Sequence, residues 1–239
     1  MKSSRKTVSL IAIIILSCLA MSLVDAVIRP DYAVKSVIKI ILFLTLPISY
    51  ARIAGGVPFR RLFAFEEKGF LKSLLLGFGV FTFILSGYFL VGPLFDFTHV
   101  TGALQKNMGV NASNFVFVAL YISIVNSLLE EFFFRGFAFF TLKELAGRRF
   151  AYLFSAGAFA VYHIAIMTSW FSMGLFLLLI VSLVIAGLLF NWLNERNGNI
   201  YTSWMVHMFA NLAINTIGFI LFGIMIFQAV SAKNCYIKQ

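Results

Sequence analysis

Residues 114–142 read NFVFVALYISIVNSLLEEFFFRGFAFFTL, an almost unbroken apolar run whose only charged side chains are Glu130, Glu131 and Arg135. About 20 mainly apolar residues suffice to cross the hydrocarbon core of a bilayer as a helix. This run exceeds that length, and its solvent is lipid. Six further runs have the same character: Val8–Ile28, Ala33–Ile53, Phe70–Phe95, Phe150–Trp170, Met173–Leu193 and Ile200–Ala229. The expected fold is therefore all-α, a polytopic membrane protein of about seven transmembrane helices. With no internal repeat or low-complexity linker, residues 1–239 are expected to form a single transmembrane domain.

Composition agrees. Hydrophobic residues make up 61% of the 239-residue chain and charged residues 12%, and 29 phenylalanines suit a lipid environment. A net charge of +10 invites nucleic acid, but no soluble domain is present to carry a basic face. The charges instead cluster between apolar runs, at Lys2, Arg5 and Lys6; at Arg52, Arg60, Arg61, Lys68 and Lys72; at Lys143, Arg148 and Arg149; and at Arg196. The opposite side keeps Arg29, Lys106, Lys233 and Lys238, with Lys35 near a membrane edge. That asymmetry places the N-terminus in the cytoplasm and the C-terminus across the membrane. Gly55 to Lys68 mixes charges with aromatics and suits an interfacial amphipathic stretch. The first run is expected to be retained, although Leu16-Ser17-Cys18 faintly resembles a lipobox. Cys18 and Cys235 support neither a disulfide framework nor a thiolate metal site.

Ionisable groups in lipid are costly, at roughly 2.5–3.5 kcal/mol each near a helix centre, and so they carry the information. Glu131 and Arg135, four apart, share a helix face and can pair. Glu130 points about 100° away, on nearly the face of Asn126, and is not neutralised by that pairing. His163 lies in the fifth run. Ser203, His207, Asn211 and Asn215 recur every four residues in the seventh and make a polar stripe. At about 1.5 Å per residue, Glu130, His163 and His207 sit on the order of 10–20 Å into the membrane and can meet in one cavity. A carboxylate and an imidazole flanking a water form a general-base pair. A second histidine and an amide are donors for a developing oxyanion. Ser203 and Asn215 read as packing residues, and His99 falls in a loop without an assigned role.

Glu130-Glu131-x-x-x-Arg135, then Phe159-x-x-x-His163, then His207-x-x-x-Asn211, in that order on three helices, resembles the CPBP family of CAAX-protease and bacteriocin-processing membrane peptidases. This family, also called the abortive-infection family, includes the type II CAAX prenyl endopeptidases. The similarity covers roughly Asn114 to Asn215, and the first three helices add no signature. It implies a CAAX-protease-like helical core opening to the cytosol. Glu130 with His163 would activate water, His207 and Asn211 would stabilise the oxyanion, and Glu131 and Arg135 would support the site. Substrates would be membrane-associated proteins or peptides, such as prenylated tails or bacteriocin and signal-peptide-like precursors. Membrane lipid is the other expected partner, and nucleic acid is not expected. Glu130, His163 and His207 also make the donor set of a two-histidine, one-carboxylate zinc site. No His-Glu-x-x-His helix accompanies them, and catalysis without a required cofactor is the expectation. A proton-coupled transporter and a non-catalytic bacteriocin-immunity protein are the alternatives. A transporter would ordinarily carry inverted repeats or broken helices, which the two halves here do not display.

Overall fold

A computed structural model describes residues 2–55, 62–64, 67–167 and 171–225. Most of the interfacial stretch, together with Trp170, Lys233, Cys235, Lys238 and the last residues of the seventh run, lies outside the described residues. Among the described residues, seven helices are long and apolar enough to span a membrane: α1 (Ser4–Ile28), α2 (Tyr32–Ala54), α3 (Gly69–Leu94), α5 (Phe115–Ala146), α6 (Arg148–Met167), α7 (Met173–Asn197) and α8 (Tyr201–Leu221). A short helix, α4 (Val100–Met108), lies between α3 and α5, and His99 immediately precedes it. No strand occurs among the described residues. The fold is the expected all-helical, polytopic one; six runs are recovered within about four residues at their described ends, whereas the seventh helix stops at Leu221, short of the predicted Ala229.

The chain changes direction where local chemistry ends one helix and starts the next. Arg29 adopts a left-handed conformation after α1, and the Asp31 side chain then accepts from the Val34 amide to cap α2. Gly147, at φ 92°, is the only residue between α5 and α6, a conformation that disfavours any side chain. The α5–α6 hairpin is clasped to the end of α7 by Glu195, which pairs with Lys143 and Arg148 at 2.8 Å each and accepts from the Tyr152 hydroxyl at 2.6 Å. Lys6 donates to the Ala54 carbonyl at 2.7 Å, tying the start of α1 to the end of α2. Leu10 and Leu142 share one apolar cluster, so the basic residues at these helix ends gather at a single end of the bundle.

At the centre is α5, of whose apolar window 50% is buried, against 6% for α3 at the periphery. The Phe132–Phe134 run lies inside the protein. Phe133 stacks on Phe43 of α2 with centroids 4.1 Å apart, and Phe134 meets Phe159 and Tyr162 of α6. Small residues bring the outer helices close, as is usual where lipid supplies little drive for association. The clearest case is Gly187 of α7, where an added Cβ would lie 2.9 Å from the Ala156 backbone of α6.

The central helix departs from the uniform period assumed from sequence. Residues Ile122–Asn126 and Glu131–Phe139 form wider, π-helical turns. Such turns disturb the i→i−4 ladder and are frequent at functional sites. Side chains of α8 serve the carbonyls around the first wide turn. Asn215 donates to Ala119 O at 3.1 Å, Asn211 to Ile122 O at 3.2 Å and Trp204 to Ile124 O at 3.0 Å. The polar stripe of α8 is thus largely the counterpart of a distorted backbone.

Candidate active site

Three helices bring the predicted groups together. The α5 turn presents Glu130, the far half of α6 presents His163, and the first half of α8 presents His207. Glu130 is only 2% exposed. Its Oε2 faces His163 Nε2 at 3.8 Å and His207 Nε2 at 3.6 Å. Both separations are too long for direct hydrogen bonds, and the three groups are close enough for one water lying beside them to reach each.

The far side of each imidazole is held. His163 Nδ1 lies 2.7 Å from the Phe159 carbonyl, and His207 Nδ1 lies 2.9 Å from Glu131 Oε1. A carbonyl or carboxylate accepts, so each Nδ1 carries a hydrogen and each Nε2 is turned towards Glu130. Phe159 lies edge-on to both rings, and Phe190 stacks on His207 at 5.3 Å. Imidazole orientation is therefore set by packing and by hydrogen bonds together.

Glu131 and Arg135 pair as expected, at 3.3 Å, and both are fully buried. The guanidinium lies 4.1 Å from the Phe159 ring centroid and 4.9 Å from that of Phe190. Glu131 joins this pair to His207 and so supports the site. Asn211 makes no direct bond to these groups; its amide donates one N–H to Ile122 O and keeps a second. Ser203 is buried and bonds the Ile200 carbonyl, a packing role.

Glu130 is not paired with Arg135, as expected, but it has a counter-charge that sequence reasoning passed over. Lys39 of α2 places its ammonium 2.5 Å from Glu130 Oε1 and 2.5 Å from Asn126 Oδ1, while Asn126 Nδ2 donates to the same Oε1 at 3.0 Å. Lys35, one turn earlier, is buried against Asp25 of α1. The signal was available: an ionisable residue inside an apolar span marks a functional site by default, and that rule covers Lys39 as well as Glu130.

The donor set fits a zinc ion poorly. Zinc would need Glu130, His163 and His207 at about 2.0–2.2 Å. The Lys39 ammonium already bonds the same carboxylate, so a dication there would face a buried like charge. Among the described residues, no group of three His, Cys, Asp or Glu is arranged to hold a metal ion.

Residues 112–213 match the family model described as type II CAAX prenyl endopeptidase Rce1-like. That segment is similar to this family. No curated protein and no solved structure matches the chain. The matched segment contains Glu130, Glu131, Arg135, His163, His207 and Asn211. Lys39 and Asp25 lie outside it.

Proposed function

We propose that the chain is an intramembrane endopeptidase of the CAAX-protease type, acting on membrane-associated peptides or proteins. The observation that carries this is the convergence of Glu130 Oε2 with His163 Nε2 and His207 Nε2 inside a helical bundle. A water between Glu130 and His163 gives up a proton to that pair and attacks the scissile carbonyl carbon. His207, in its imidazolium form, donates to Glu131 from Nδ1 and to the developing oxyanion from Nε2. The Asn211 amide adds its second N–H to the same oxyanion. Collapse of the tetrahedral intermediate returns the proton to the leaving amine. Glu131 and Arg135 hold His207 in register. No metal takes part, and the positive charge beside Glu130 belongs to Lys39. The N-terminus and the basic end of the bundle face the cytoplasm, so substrates reach the site from that side.

The test uses the full chain in lipid nanodiscs with a fluorogenic peptide bearing a farnesylated cysteine four residues from its end, and an unprenylated copy. Wild-type protein cleaves at least one, and Glu130→Gln or His163→Ala lowers the rate by about 100-fold or more while remaining folded. Wild-type turnover by Glu130→Gln would sink the mechanism. Substrate flux into sealed vesicles without cleavage would favour a carrier. Dialysis against a chelator should leave turnover intact; stoichiometric zinc whose removal abolishes it would overturn the metal-free route.

A further inference from the structure

Every group assigned to catalysis above lies within the matched segment, yet the closest partner of the Glu130 carboxylate comes from α2, outside it. The two carboxylate oxygens have different environments. Oε1 accepts from Lys39 Nζ and from Asn126 Nδ2, while Oε2 faces only the two imidazoles. Lys39 also reaches Asn126 Oδ1, closing a three-membered ring of contacts around Oε1. The ammonium is 4% exposed as a residue and is flanked by the rings of Tyr162 at 5.0 Å and Phe43 at 5.3 Å.

The rotation of α2 is fixed as well. Lys35 and Lys39 are one turn apart on the same face, where like charges repel. Each is answered by an acid from a different helix, Asp25 of α1 and Glu130 of α5. The α1–α2 hairpin can thus present Lys39 to the site in only one register.

We propose that Lys39 is a positioning residue for the peptidase reaction, and this rests on the function proposed above. By saturating Oε1 it fixes the carboxylate plane and reserves Oε2 for the water shared with His163. A misplacement of about 1 Å at a reacting group costs on the order of 100-fold in rate. The loss falls on kcat, because Lys39 touches Glu130 and not the substrate.

Three variants are compared in nanodiscs on whichever peptide the wild-type protein cleaves: Lys39→Met, Lys39→Gln and Glu130→Gln. Lys39→Gln stays polar, but its amide nitrogen is one bond short of Nζ and does not reach Oε1, so it decides the matter if Lys39→Met fails to fold. The expected result is a kcat about 100-fold down with KM within threefold of wild type, in a variant whose thermal transition is cooperative. A kcat above one-tenth of wild type in Lys39→Gln, or a raised KM with kcat preserved, overturns the positioning role while leaving the peptidase intact. If Glu130→Gln cleaves normally, the underlying peptidase reading fails instead.

Discussion

Replacing Glu131 by Gln removes the one carboxylate that Arg135 and His207 share. Arg135 is fully buried, and its Nε, Nη1 and Nη2 make no hydrogen bond among the described residues, so its charge is answered by Glu131 at 3.3 Å and by the rings of Phe134, Phe159 and Phe190. Breaking a buried pair by deleting one partner costs about 3–5 kcal/mol. The ring faces retain up to about 2 kcal/mol of attraction for the stranded cation and do not replace the carboxylate. The loss is a large share of an ordinary domain stability of about 5–15 kcal/mol. The catalytic effect is separate. A Gln amide can present its N–H to His207 Nδ1, inverting the tautomer, and the loss of such an orienting carboxylate costs about 10²–10⁴ in kcat. The double variant Glu131→Gln/Arg135→Met carries neither charge. Its stability should return to within about 1 kcal/mol of wild type, as when a buried pair is replaced by neutral groups. Its turnover should stay as low as that of Glu131→Gln. Unfolding equilibria in mixed micelles and single-turnover cleavage measure the two quantities on the same preparations. If the double variant regains activity along with stability, Glu131 is a charge balance for Arg135 and nothing more.

Three other substitutions probe the frame around the site. Asn215→Leu removes the donor to Ala119 O and Ser123 Oγ and should cost about 0.6–1.7 kcal/mol in the same unfolding assay. Gly187→Leu drives side-chain atoms into the Ala156 backbone; α6 must move away from α7, and a crosslink engineered between the two helices should form more slowly than in wild type. Glu195→Gln weakens a partly exposed cluster in which the Arg148 side chain is 62% exposed and that of Glu195 16%. It should cost no more than about 1 kcal/mol, less in high salt, and leave turnover unchanged.

The seven spans were legible because lipid imposes one rule, a long apolar run with its backbone bonds satisfied internally. The convergence of Glu130, His163 and His207 was legible for the complementary reason: each breaks that rule at a cost only a shared site explains. Lys39 went unread because a single lysine leaves the apolar character of its run intact, and its partner Glu130 lies 91 positions later. The bond from Asn211 to Ile122 O was hidden differently. Side-chain pattern assumes 3.6 residues per turn, whereas the acceptor is a backbone carbonyl beside a wider turn, which no side-chain pattern records.

That wider turn makes the winding of the central helix a functional quantity. If Ile122–Asn126 rewound as a regular α-helix with every residue kept, the portions on either side would turn out of phase by about 100°. Glu130 could then keep its aim at the histidines only if Ala119 and Phe115 lost theirs at α8. Tightening this segment should therefore silence the protein even though no charged side chain is touched.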